Sequence, residues 1–184
     1  MAATYSTVAA GVALPAAAAA KTLLYILNTD ATLICKIYRV RIRNLTNAAV
    51  TGALSTIEMR LASGTPTGGS APAIVKHDSA SATISTLTVN TGATSGITPA
   101  GLLRSITVTS EEPFGKVNPP ALELCMICTM PIFTTVWDAG YGFSTVQPIT
   151  LRQNEGFVIN LPASARSGGP TGGLFDFKAE FTFA

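Results

Sequence analysis

Histidine and tryptophan occur once each in this chain, and cysteine three times. A Ser-His-Asp machine would have only His77 to build on. In "KHDSAS" Asp78 is adjacent and Ser79 and Ser81 are near, but triads are assembled in space, and no nucleophile-elbow pattern is present. His77 therefore reads as a surface residue of a polar loop. Three cysteines cannot complete a disulfide framework, and their number fits synthesis in a reducing cytoplasm. Cys125 and Cys128 form a C-x-x-C, which Cys35 and His77 would in principle extend to a four-ligand zinc site. Their setting, "LCMICTM", is a continuous apolar run without a Gly-rich knuckle or a second ligand pair, so the thiols read as small buried hydrophobes. No metal, cofactor or required disulfide is expected, and a strand-like run offers no helix N-terminus for a redox pair.

Charge is equally sparse. Charged residues make up 12% of the chain, against ~25% in ordinary soluble domains. With a mean hydropathy of +0.40, much of the surface must be built from Thr, Ser, Ala and Gly, which suits close contact with neighbours. A formal net charge of +2 is too small to hold nucleic acid by itself, because that binding scales with the phosphates neutralised. Long apolar runs are missing too: "ALPAAAAAKTLLYIL" is broken by Pro15 and Lys21, well short of the ~18–20 residues that span a bilayer. The first residues lack the positive segment of a secretory signal and are read as mature protein. Glu111, Glu112, Glu123 and Asp138 could supply paired carboxylates, yet nothing in their spacing brings two together. The chain is not expected to be an enzyme.

What the sequence does contain is a period of two. β-Branched residues are enriched, and Gly, Pro, Asn and Ser clusters recur between short apolar runs. Strands are predicted at Lys21 to Leu27, Leu33 to Arg43, Leu54 to Leu61, Ala82 to Val89 and Leu103 to Thr109. Others are predicted around "LELCMICTM" and at the C-terminal end. There Phe175, Phe177, Ala179, Phe181 and Phe183 alternate with Asp176, Lys178, Glu180 and Thr182, giving one aromatic and one wet face. The stretch "PITLRQNEGFVINL" reads as a β-hairpin whose polar turn places Gly156 at positive φ. Residues 1–20 carry few large apolar groups and read as an extended arm, leaving one β-sandwich domain over residues 21–184. Hydrophobic residues at 47% are enough for its core.

Two groups could meet a partner. In "IYRVRIRN" period two puts Arg39, Arg41 and Arg43 on one face, either as a solvated face neutralised in part by Glu58 across a hairpin or as a docking stripe for an acidic partner. In "VWDAGYGF" Trp137, Tyr141 and Phe143 could form a stacking platform for a glycan. The long loops Ala62 to Ser81 and Asn90 to Gly101 suit binding surfaces or crossovers between sheets.

The order "YSTVAAGVALPAAAAAKTLLYIL", "CKIYRVRIRN", "IEMRLASGTPTGGSAPAIVKHDSASATIST" and "QPITLRQNEGFVINL" resembles small structural proteins of tailed-phage virions, over most of the chain in element order. The resemblance implies an all-β, jelly-roll-like sandwich that decorates or cements a capsid. Its implied partner is the major capsid protein or another virion protein, its place the phage head surface after synthesis in the host bacterial cytoplasm, and its form a homo-oligomer with a trimer favoured. It implies no membrane contact, no direct nucleic-acid contact and no catalytic residues. A carbohydrate- or receptor-binding module of a virion fibre or tail is the other class that such a sandwich serves.

Overall fold

The structure is a computed structural model that describes residues 3–14, 20–45, 54–109, 134–139, 146–163, 166–167 and 173–184. Twelve strands are described: β1 Ala3–Ala13, β2 Lys21–Asn28, β3 Cys35–Asn44, β4 Leu54–Ser63, β5 Ile74–Lys76, β6 Leu87–Asn90, β7 Thr98–Thr109, β8 Thr134–Asp138, β9 Ile149–Leu151, β10 Gly156–Leu161, β11 Arg166–Ser167 and β12 Leu174–Phe183. They form two antiparallel six-stranded sheets. One has the order β5-β1-β12-β3-β8, with β9 also on β3; the other has the order β11-β4-β10-β2-β6, with β7 also on β4. Because β7 runs along Leu54–Ser63, β10 and β11 must share the opposite edge of β4, end to end.

The inner faces of the two sheets make one core. From the first sheet come Phe175, Phe177, Ala179 and Phe181 of β12 with Ile37, Val40 and Ile42 of β3. The second contributes Leu24 and Ile26 of β2, Ile57 and Met59 of β4, and Phe157, Ile159 and Leu161 of β10. Full burial of each large side chain contributes about 1.5–3 kcal/mol relative to exposure, so the β12 aromatics are the largest single block. Tyr5 stacks on Phe181 at 5.9 Å between ring centroids.

Three sequence expectations change. Ala3–Ala13 is not a free arm but an interior strand, paired to β12 on one edge and β5 on the other. Its small side chains are what the core needs there, because Ala9 stands opposite Phe177 and Thr7 opposite Ala179, leaving room for the aromatic rings. The "PITLRQNEGFVINL" segment is not a hairpin: β9 joins β3 in the first sheet, whereas β10 lies between β2 and β4 in the second. Its turn is a crossover between sheets, fastened to the end of β2 by Asn154 N–H donating to the Asn28 carbonyl (2.7 Å) and Asn28 N–H donating to the Glu155 carbonyl (3.0 Å). The positive φ belongs to Asn154 (62°) and not to Gly156. The wet face of β12, finally, is largely buried, with Asp176 at 1%, Thr182 at 7% and Glu180 at 9% exposure, because β12 is flanked by β1 and β3.

The predicted strand at Ala82 to Val89 shortens to Leu87–Asn90. The expectation for "LELCMICTM" lies outside the described residues.

Candidate functional site

The outer face of the first sheet concentrates charged side chains in a chain that has few of them. A register shift at Tyr38 brings Arg39 opposite Glu180, Arg41 opposite Lys178 and Arg43 opposite Asp176. Arg43 Nε donates to Asp176 Oδ2 (2.9 Å), and the other oxygen of that carboxylate accepts from Gly11 N–H (2.8 Å), where β1 bulges. Asp176 therefore ties three neighbouring strands together. Arg39 Nε donates to Asp138 Oδ2 on β8 (3.1 Å), and its Nη1 reaches Glu180 Oε2 at 3.4 Å. Glu180 is shared further by Lys178 at 3.0 Å and Arg41 at 3.7 Å. Burial works to raise the Glu180 carboxyl, but the Lys178 hydrogen bond and the charges of Arg41, Lys178 and Arg39 outweigh it and hold it below the ordinary carboxylate range.

Glu58 takes no part in this face. It sits on β4 in the other sheet and accepts from Arg60 Nε (2.7 Å), so the expected cross-hairpin pairing with the arginine stripe is replaced by β12 and β8 partners. Strands β3 and β4 are consecutive in sequence but belong to different sheets. A signal for the true partners was present: the alternating Asp176, Lys178 and Glu180 of β12 complement an Arg-x-Arg-x-Arg strand in charge.

Trp137 pairs with Val40 and packs, half-buried, against the core, with its Nε1 buried and without a hydrogen-bond partner. That position anchors a sheet edge and leaves the ring poorly placed as an open stacking surface. Tyr141, Phe143, Cys125, Cys128, Glu111, Glu112 and Glu123 lie outside the described residues. His77 is exposed, its backbone N–H donates to the Thr4 carbonyl, and neighbouring Asp78 caps the Ala80 N–H within the same turn. Cys35 is fully buried, and burial pushes its thiol far up. Among the described residues no group of three or more His, Cys, Asp or Glu side chains could hold a metal ion, and no helix is long and apolar enough to cross a membrane.

A second, smaller feature lies on the outer face of the other sheet, where the long loops expected to suit binding surfaces meet. The two Gly-rich loops close on each other through bridges Thr67↔Ser95 and Ser70↔Thr91. A Cβ on Gly96 would stand 2.0 Å from the Thr65 carbonyl oxygen, so only glycine permits that approach. Beneath them Tyr25, Leu27, Ala62 and Val158 form a minor apolar cluster covered by Ile97. Beside it opens a cleft of about 200 Å³, lined in part by Thr22, Thr94, Ser95, Ile97, Val158 and Asn160. Its signal in the sequence was the pair of Gly-Thr-Ser-rich loops, although nothing local indicated that they meet.

Comparison with protein-family models, with curated proteins and with solved structures finds no match. The fold and the geometry define an antiparallel β-sandwich with one charge-laced outer face and one face covered by glycine-rich loops.

Proposed function

We propose that this chain is a structural virion protein of a tailed bacteriophage, a capsid decoration or cement protein that acts at the head surface through protein–protein contacts. The observation that carries the reading is the strand wiring. Without the short additional strands, the sheets have the orders β1-β12-β3-β8 and β2-β10-β4-β7. That order supports a jelly-roll reading, two four-stranded sheets built from nested Greek keys, an architecture that recurs in capsid domains. The surface chemistry agrees, since long loops of Gly, Ser and Thr with few charges cost less to desolvate on docking than charged loops would. With Ala3–Ala13 inside a sheet, attachment falls to these loops and the outer sheet faces, not to an arm. A trimer fits a closed assembly that avoids runaway polymerisation, and many weak contacts over a shell reinforce one another.

Purified protein should co-sediment with phage capsids that lack it and should raise the temperature at which they rupture. Sedimentation velocity should give a trimer. A monomer that stays in the supernatant while the capsids pellet would sink the reading. A second reading, a carbohydrate-binding module, is favoured by one observation: the 200 Å³ cleft is of the size of a single sugar ring and is lined by polar Thr22, Thr94, Ser95 and Asn160 beside apolar Ile97 and Val158. Binding on a glycan array, abolished by Asn160→Leu, would establish that reading in place of the first.

A further inference from the structure

We infer that Arg41 is the receiving point for a carboxylate side chain of a partner protein that docks on the outer face of the first sheet. The inference goes beyond the proposed function and does not depend on the partner being a capsid protein.

Lys36, Arg39, Arg41, Arg43 and Lys178 occupy this face together with three carboxylates, Asp138, Asp176 and Glu180. Among the described residues this face thus holds a surplus of two positive charges, equal to the formal net charge of the whole sequence. The carboxylates are already engaged: Asp176 by Arg43 and Gly11 N–H, Asp138 by Arg39, and Glu180 by Arg39, Arg41 and Lys178 together.

Lys36 is exposed and has no ion pair among the described residues, and Arg41 is the least satisfied of the three arginines. It faces a like charge, Lys178, directly across the strands. Its single ion pair is the longest of the network at 3.7 Å, and its Nε is buried without a hydrogen-bond partner. A guanidinium carries five donors arranged for two-pronged contact with a carboxylate. Here the side chain is about 28% exposed and fixed on the middle of a paired strand; Nε lies beyond a partner's reach, and the terminal Nη1–Nη2 edge is left for a two-pronged carboxylate, for which the described residues supply one distant oxygen of Glu180. An incoming Asp or Glu would engage that edge and relieve the repulsion from Lys178.

The same geometry selects the class of partner. Asp138, Asp176 and Glu180 surround Arg41, so a continuous polyanion such as nucleic acid would meet three negative charges for every five positive ones. One or two isolated carboxylates on a protein surface match the surplus of two, and charge complementarity of this kind fixes register on docking.

The test uses the full chain and a capped seven-residue Gly/Ser peptide carrying two glutamates, with its diglutamine counterpart as control. Titration is followed by the Arg41 Nε–Hε signal and the amides of residues 39–43 in NMR spectra at low salt. The expected result is a saturable shift at those signals in the millimolar range with the diglutamate peptide alone, weakening as salt rises. Arg41→Gln should weaken it about fivefold, and Arg41→Lys, which keeps the charge and loses the fork, by less. Arg104→Gln, on the other sheet, should leave it unchanged. If Arg41→Gln fails to fold, Arg41→Lys carries the comparison. No shift up to about 10 mM peptide, equal shifts with the diglutamine peptide, or equal affinity in the Arg41 variants overturns the inference. Tighter binding of a twelve-base-pair DNA duplex at the same signals overturns the choice of a protein partner. Dissociation of a homo-oligomer by Arg41→Gln would assign the carboxylate to a second copy, and that also overturns it.

Discussion

Gly156→Ala tests the packing between β10 and β2. The Tyr25 ring, 0% exposed, lies flat over Gly156, and a Cβ at that glycine would stand 2.6 Å from Tyr25 Oη, 2.7 Å from Cε2 and 2.9 Å from Cζ. Ordinary carbon contacts are about 3.5–4.0 Å, so the ring must move by roughly 1 Å. It has no open direction. Tyr25 Oη donates to the Gly64 carbonyl at 2.8 Å, and Leu27, Ala62, Val158 and Ile97 pack around the ring. Overpacking of this kind costs about 1–3 kcal/mol, and a weakened hydrogen bond adds about 0.5–1.5 kcal/mol. Stiffening of the unfolded chain offsets about 0.4–1 kcal/mol of that. The net expectation is a loss of about 1.5–3 kcal/mol, seen as a lower denaturant midpoint at unchanged slope and a Tm lower by roughly 5–10 °C. Gly101→Ala is the matched control, because a Cβ there meets nothing within 4 Å; it should stay within about 0.5 kcal/mol of the parent. Combining Gly156→Ala with Tyr25→Leu should recover part of the loss as a coupling term between touching residues. If Gly156→Ala and Gly101→Ala unfold at the same denaturant concentration, the steric account of Gly156 is wrong.

Two further outcomes follow from buried polar groups. Asp176→Asn keeps an acceptor for the Gly11 N–H but removes the charge facing Arg43, and should cost about 1.5–3 kcal/mol in urea unfolding; a neutral result would show that the β1–β12–β3 tie does not hold the sheet. Burial pushes the Tyr25 phenol up to about 12 from its ordinary 10.0, so the stability it contributes is complete below pH 10 and is lost as pH rises through 12. Tyr25→Phe should flatten that part of the alkaline unfolding profile, at about 0.5–1.5 kcal/mol of neutral-pH stability for the lost hydrogen bond to Gly64, and an unaltered profile would refute the assignment.

The parts of the fold legible from the sequence are those whose signal is local and large. Strand β12 is read residue for residue because four phenylalanines and an alanine occupy every second position, and β2, β3 and β4 follow from runs of β-branched and aliphatic residues. Strand β1 escapes because its inward residues Thr7 and Ala9 are small, and small residues look like loop until the phenylalanines opposite them are known. The mistaken hairpin has a different cause. A polar turn between two apolar runs looks the same whether its arms pair with each other or join different sheets, and here the decision rests on Asn28, more than a hundred residues away in sequence. Its Nδ2 donates to the Leu151 and Leu33 carbonyls (3.0 and 2.8 Å), fixing where β9 ends and β3 begins. The arginine stripe was legible as a face for the same reason as β12, since period two settles which residues point together. Which carboxylates it meets depends on sheet membership, a long-range property that no window of sequence contains.

The energetics of the charged face separate its structural role from the docking role proposed for it. Half-exposed ion pairs such as those of Arg39 and Arg41 contribute about 0–1 kcal/mol each, so together they decide little about whether the sandwich folds. They do decide how ordered the surface is before anything binds. A free arginine or lysine side chain loses up to about 2 kcal/mol of rotamer entropy when immobilised. On this face Arg39, Arg43 and Lys178 are already held by carboxylates of neighbouring strands, so a docking partner does not have to order them again. The Gly-rich loops reach the same end by another route: backbone bridges at Thr67↔Ser95 and Ser70↔Thr91 fix them without any charge. Both outer surfaces are therefore set in shape before contact, and the shell assembly proposed above would draw on that order, because a weak contact cannot offset the entropy of ordering its own surface.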